Sequence, residues 1–491
     1  MNQFILIIPI LLPIIMGAIL PALRFQSRRC RNIYVEIVTV LNSVFVFLLL
    51  LYGPKGTFMA INLAGNLAVT FHIDGLSCVF AGLISALWPF ATLYAFEYME
   101  HIGKEDTFFA FYTMTFGVTV GIAFAGNLMT LYMFYEMLTL VTLPLVMAGM
   151  SRESILAGRK YIFYAIGGAS FAFIGFIFIF TYGSTMDFVN GGVLTGTNIQ
   201  GKEDLLRLVY VLAVLGFGVK AGIFPFHGWL PTASIAPTPV TALLHAVAVV
   251  KAGAFAIIRI TYYSYGTDFL RGTWAQYVVM GFAIVTILFG SGRAVKEPHF
   301  KRRLAYSTIS NLSYVIFGAL LMTPLGLIGS LSHMVFHAVI KITLFFCAGA
   351  VLCKTNREYV RELDGLAHKM PVVFATFTIG SLALVGIPPF AGFISKWNLC
   401  TAAVEEGSFM AYIGIGVVLF SALLTAIYML TTVIRAYFPD KDFDEQTLVG
   451  VKDPTWQMKL PLIVFCIAII TFGVYSVPLV EFFRKIAEGF I

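Results

Sequence analysis

Residues 215–253, LGFGVKAGIFPFHGWLPTASIAPTPVTALLHAVAVVKAG, decide how the rest of the chain is read. An apolar helix carries Lys220 and breaks at Pro225. A proline-rich turn follows, and a second helix starts that carries His245 and Lys251. A charged side chain at bilayer depth costs about 2.5–3.5 kcal/mol on the insertion scale, and broken helices persist there only against protein or water. Two lysines around one break therefore point to an ion path.

The composition places that stretch in a membrane. Of 491 residues, 59% are hydrophobic and 12% charged, and the mean hydropathy is +0.89. A soluble domain has no use for so much apolar surface, so the chain reads as an all-α polytopic membrane protein. The net charge of +7 sits in short loops. It reads as membrane orientation and not as a nucleic-acid surface. The six cysteines make no CxxC pair, which leaves iron–sulfur and zinc ligation unsupported. No nucleotide loop, catalytic triad or dinucleotide fingerprint is present, so neither an active site nor a cofactor nor a metal is expected in this chain. The N-terminal apolar run has no basic residues before it, and reads as a retained first span.

A span needs about 20 mostly apolar residues. Fourteen are expected, at 3–23, 33–52, 75–98, 107–125, 127–148, 161–182, 207–226, 240–262, 274–292, 304–322, 327–352, 371–394, 409–436 and 460–480. With the N-terminus outside, 21 of the 32 Lys and Arg fall in inner loops, Lys441 among them, and 6 in outer segments, Lys55 among them. That bias puts both termini on the outer face of a cell (plasma) membrane. Lys220, Lys251, Arg259, Lys341 and Lys396 remain inside helices. Arg259, near a helix end, is expected to snorkel.

An internal repeat accompanies the lysines. GIFPFHG at 222–228 and GIPPFAG at 386–392 agree at five of seven positions. Both lie in proline-interrupted spans, five spans apart, so the copies are expected to run in opposite directions. Paired broken helices in inverted repeats mark a transport site near the midplane. The organisation expected is helices 1–3 at 1–106, a first five-helix repeat at 107–262, a second at 274–436, and a C-terminal loop and helix at 437–491.

The candidate ion-carrying groups follow. Glu136, in LYMFYEMLTLVTLPL, is the one carboxylate of its span. It reads as a switchable partner for an intramembrane lysine, against a plain ion pair tying two helices. Lys220 lies five residues before Pro225, whose missing N–H frees carbonyls for polar partners. His245 and Lys251 are six apart and off one common face. His227, in the turn, reads as structural. His333, His337 and Lys341 step by four along one helix face. Two such histidines can bind metal, but no HExxH glutamate is present, so a proton-transfer row is favoured. Imidazole suits that task because its two nitrogens exchange donor and acceptor roles. Lys396 follows the second break, at the outer end of the path or snorkelling.

At these residues the chain resembles the antiporter-like subunits shared by respiratory complex I, Mrp sodium/proton antiporters and membrane-bound hydrogenases. The resembling segments are FYEMLTL around Glu136, KAGIFPFHGWLP from Lys220, APTPVTALLHAVAVVKAG through Lys251, KRRLAYSTISNLSYV from Lys301 and SHMVFHAVIKITLFFCAG through Lys341. The resemblance implies fourteen transmembrane helices with two inverted five-helix repeats. It implies that Glu136 pairs with Lys220, that Lys251 and His245 pass protons along a polar axis, and that His333, His337 and Lys341 continue it to Lys396. The partners implied are other membrane subunits, hydrogenase or quinone-oxidoreductase modules, lipid, and H+ with Na+ as a second ion. Thr232 stands where the family often has Asp, and the terminal residue is lysine where one branch has glutamate. The long lateral helix of the most distal complex I subunit is not expected. A stand-alone secondary transporter of a small solute is the alternative, and a non-conducting scaffold a third reading.

Overall fold

The computed structural model describes residues 3–54, 56–65, 67–440 and 443–489, so Lys55 and Lys441 lie outside the described residues. The chain opens with α1 (Ile8–Ile19) and α2 (Arg28–Tyr52), then a hairpin of β1 (Phe58–Ala64) antiparallel to β2 (Leu67–Phe71). There follow α3 (Gly75–Met99), α4 (Glu105–Ala123), α5 (Leu128–Val146) and α6 (Arg152–Tyr182). α7 (Glu203–Ala221) ends at the first break, and the short α8 (Trp229–Ala233) fills the turn. α9 (Thr238–Ala242) and α10 (Val249–Arg259) run on through a π-helical turn at Leu243–Val247, and α11 (Thr267–Leu270) is a single turn. α12 (Trp274–Lys296), α13 (Phe300–Leu320), α14 (Pro324–Thr355) and the short α15 (Leu366–Lys369) come next. α16 (Pro371–Val385) and α17 (Ala391–Glu406) are two halves around the second break, followed by α18 (Phe409–Tyr437), α19 (Trp456–Val474) and α20 (Val477–Ala487).

Helix starts follow local chemistry. Ser27, Asp74, Asn127, Ser151, Thr323 and Ser408 each accept a hydrogen bond from the backbone N–H three residues on, satisfying a donor that the first turn leaves unpaired. The two breaks share a form. α7 and α16 end at Gly222 and Gly386, with φ of 75° and 90°, a left-handed conformation that favours glycine. Each break then holds a cis X–Pro peptide, Phe224–Pro225 and Pro388–Pro389.

Among the described residues, ten helices are long and apolar enough to cross a membrane. The other four expected spans fall on more polar or shorter helices. α4 begins with Glu105 and Asp106, α7 carries Glu203, Asp204, Arg207 and Lys220, α13 carries Lys301, Arg302 and Arg303, and α16 has 15 residues before its break. The spans differ in depth. The most apolar window of Thr238–Tyr265 is 100% buried and that of Pro324–Thr355 94%, whereas those of α2, α6 and α18 are 39% buried. The helices bearing His245, Lys251, His333, His337 and Lys341 thus lie inside the bundle, and α2, α6 and α18 lie nearer its surface.

Three features depart from the expectation. The hairpin interrupts an otherwise all-α chain. It docks on the start of α5, where Asn127 Nδ2 donates to Ala68 O at 2.7 Å and Thr70 N to Thr130 Oγ1 at 2.8 Å. The amphipathic α20 is a second element outside the expected set. Arg259 does not snorkel: it is 1% exposed. It pairs with Asp74 through both terminal guanidinium nitrogens, also donates to Ser77 Oγ at 3.1 Å, and lies about 5 Å from the rings of Phe188, Phe255 and Tyr263. An arginine with a carboxylate within reach loses less by staying buried with it than by stretching out alone.

A buried file of lysines and histidines

The first group lies where α5 meets the end of α7. Lys220 is buried, and its Nζ stands 4.0 Å from Glu136 Oε1. The same ammonium donates to the carbonyl of Tyr135 and sits 3.3 Å from the centre of the Tyr135 ring. That ring is held by its own hydroxyl, which donates to Phe217 O at 3.0 Å. Trp229 of the turn donates Nε1 to Val219 O at 2.7 Å, a carbonyl that also accepts from Gly222 N at 3.1 Å. Among the described residues Glu136 Oε1 has no hydrogen-bond partner, and its side chain is 29% exposed. The pair is therefore close without a direct hydrogen bond.

The second group lies at the centre. Lys251 of α10 is fully buried, and its Nζ stands 2.8 Å from His337 Nδ1 on α14. A neutral ring that accepts at Nδ1 carries its proton on Nε2. The His337 and His333 rings stack with centroids 5.7 Å apart. His333 Nδ1 then meets Ser395 Oγ at 2.9 Å on α17. The next residue, Lys396, is 8% exposed. It does not snorkel: its Nζ donates to Leu384 O and Val385 O, both at 2.7 Å. Those carbonyls end α16 at the second break, so the lysine caps the negative end of a helix.

Lys341 leaves this line. It donates to Ser307 Oγ and, at 3.0 Å, to Leu304 O, both on α13. Four residues from His337 on the same helix, it turns to a different neighbour. Lys301, one turn before Leu304, is also buried and donates to Ala236 O at 3.0 Å. His245 is buried in the π-helical turn with neither ring nitrogen bonded among the described residues, its ring 4.9 Å from that of Phe345. His227 packs between the Phe224 and Phe289 rings at 5.7 and 4.3 Å. At the position of the family's Asp, Thr232 Oγ1 accepts from Lys160 Nζ at 3.0 Å.

The eight residues singled out from sequence thus fall into two clusters and two separate positions. Glu136 and Lys220 form one. Lys251, His337 and His333 run on to Ser395 as a second, with Lys396 next to Ser395 in sequence. Lys341 faces α13, and His245 stands beside α14. Sequence reasoning missed Tyr135, Ser307, Ser395 and the Asp74–Arg259 pair. Ser395 next to Lys396 and Tyr135 next to Glu136 are neutral neighbours whose roles depend on which helix faces them.

Comparison with known proteins gives one consistent answer. Residues 125–425 match the family described as NADH:quinone oxidoreductase/Mrp antiporter, TM. The chain is 30% identical over 442 residues to NADH-quinone oxidoreductase subunit N of Desulforudis audaxviator, covering 87% of this chain and 84% of that protein. It is 31% identical to a Na(+)/H(+) antiporter subunit from Alkalihalophilus pseudofirmus over 83% of this chain, and spans about half (52%) of that longer relative. It is 32% identical to Hydrogenase-4 component B of Escherichia coli over 67% of this chain and 50% of that protein. The fold is similar to a chain of the Mrp complex from Dietzia, with TM-score 0.86, 20% identity and coverage of 99% and 97% of the two chains. It is also similar to a chain of respiratory complex I from Thermus thermophilus, with TM-score 0.81, 23% identity and coverage of 99% and 98%. The matched span contains both helix breaks and every lysine of the file, and the chain belongs to the antiporter-like membrane subunit family shared by complex I, Mrp antiporters and hydrogenase complexes.

Proposed function

We propose that this chain is a proton-translocating subunit of a multisubunit membrane complex of the respiratory, hydrogenase or Mrp type. The observation that carries the proposal is the contact line Lys251–His337–His333–Ser395, which runs buried toward the second break. All fourteen helices cross the membrane in this reading, in two inverted repeats at 107–262 and 274–436, with both termini outside. Glu136 switches Lys220 by approaching or withdrawing. Lys251 receives the proton and passes it through His337 and His333 to Lys396. Lys341, with Ser307 and Lys301 on α13, forms a branch toward the inner surface, and His245 borders that branch. Redox chemistry, where the complex has it, belongs to partner subunits. Sodium is the second ion to test.

In the intact complex reconstituted into liposomes, Lys220→Ala or Glu136→Ala should abolish proton movement while assembly survives. Normal transport by both variants would refute the mechanism. Isolation of the chain as a lone monomer with solute uptake would favour the stand-alone transporter instead.

A further inference from the structure

A second feature of the molecule lies on the far side of α14. His333, His337 and Lys341 share one face of that helix, and Val335 and Val339, two residues off each histidine, share the opposite one. There they border an apolar cavity of about 410 Å³ between α2, α3, α14, α19 and α20. Along α3 its wall runs from Cys78 to Phe90, twelve residues, or about 18 Å at 1.5 Å per residue. Phe90 packs against Phe465 of α19, with ring centroids 5.8 Å apart. Thr455, just before α19, donates its N–H to Glu97 near the end of α3 at 2.9 Å, so α19 runs antiparallel to α3 and ends toward the Cys78 end of that helix.

The apolar lining and the length of the cavity suit a hydrocarbon chain. One bilayer leaflet of hydrocarbon is about 15 Å thick, which fits the cavity's length. Charge selects the rest. α20 turns Phe482 and Phe483 into the cavity, and leaves Arg484 and Lys485 exposed. Arg484 holds Glu481 at 3.0 Å, with both side chains half exposed. Amphipathic helices with this pattern lie at the headgroup level, where basic residues attract anionic lipid.

We infer that this cavity is a binding site for one acyl chain of an anionic phospholipid, whose phosphate lies by Arg484 and Lys485. The chain packs the outer face of the helix that carries the histidine file, and keeps that side dry.

Gly82 allows a direct test. A Cβ there meets just Leu50 Cδ1, at 3.6 Å, so a side chain can enter the cavity without moving backbone. The full-length chain, in its complex, is placed in nanodiscs of equal phosphatidylglycerol and phosphatidylcholine, then examined by native mass spectrometry. The wild type should retain one phosphatidylglycerol that Gly82→Phe loses. The surface double variant Arg484→Gln/Lys485→Gln, which disturbs no packing, should lose the selectivity for phosphatidylglycerol by tenfold or more. Retention of lipid by Gly82→Phe, or unchanged selectivity in the double variant, would overturn the inference. So would a partner-subunit helix cross-linked through Gly82→Cys.

Discussion

The Glu136–Lys220 pair offers a graded test of electrostatic switching. At 4.0 Å and an effective permittivity of about 20, two unit charges interact by about 4 kcal/mol. Glu136→Gln removes that term and keeps the shape of the side chain. If the interaction sets the equilibrium that moves protons, the loss is worth about a thousandfold in flux. Glu136→Asp draws the carboxylate back by about 1.5 Å. The interaction then falls to about 3 kcal/mol, a loss of about sixfold. The order wild type, Asp, Gln, with a small first step and a large second one, is the signature. Proton flux into liposomes holding the whole complex is read with a pH-sensitive dye, and assembly is checked on native gels. Equal flux in the Asp and Gln variants would refute the reasoning, because size and not charge would then be what matters at this position.

Three further outcomes are expected. Asp74→Asn should destabilise the chain by about 3–5 kcal/mol, since it leaves Arg259 buried without its anion; the double change Asp74→Leu/Arg259→Met should recover most of that in a detergent thermal-unfolding assay, and a silent single variant would contradict the pairing. Ser395→Ala removes the hydroxyl 2.9 Å from His333 Nδ1 and should lower flux by about tenfold, one hydrogen bond's worth, with Ser395→Thr restoring it; unchanged flux in the Ala variant excludes Ser395 from the line. His299 lies in the connection between α12 and α13, where burial pushes its imidazole below the ordinary value although Glu358 stands 3.5 Å away. The folded state then binds fewer protons than the unfolded one, so the stability due to this site is present above about pH 6.5 and falls as the pH drops below it. The thermal midpoint should fall between pH 7.5 and 5.5 by more in wild type than in His299→Gln, and equal falls would refute that account.

Much of this protein could be read from its residues alone. Apolar runs of bilayer length show a polytopic helical protein, because a membrane leaves the backbone few other ways to pair its polar groups. The breaks after Lys220 and before Lys396 are visible because proline and glycine act locally. The four-residue step of His333, His337 and Lys341 is equally local, since helix geometry alone puts them on one face. What they touch is not local. The neighbours of α14 decide that His337 meets Lys251, that His333 meets Ser395, and that Lys341 turns away to Ser307. The same holds for Arg259: its place near a helix end predicts snorkelling, and Asp74, 185 residues earlier, holds it inside. The hairpin and α20 are hidden for a related reason, being short elements held by docking on helices. Sequence sets which groups must be hidden from lipid; the packing of distant helices sets which of them meet.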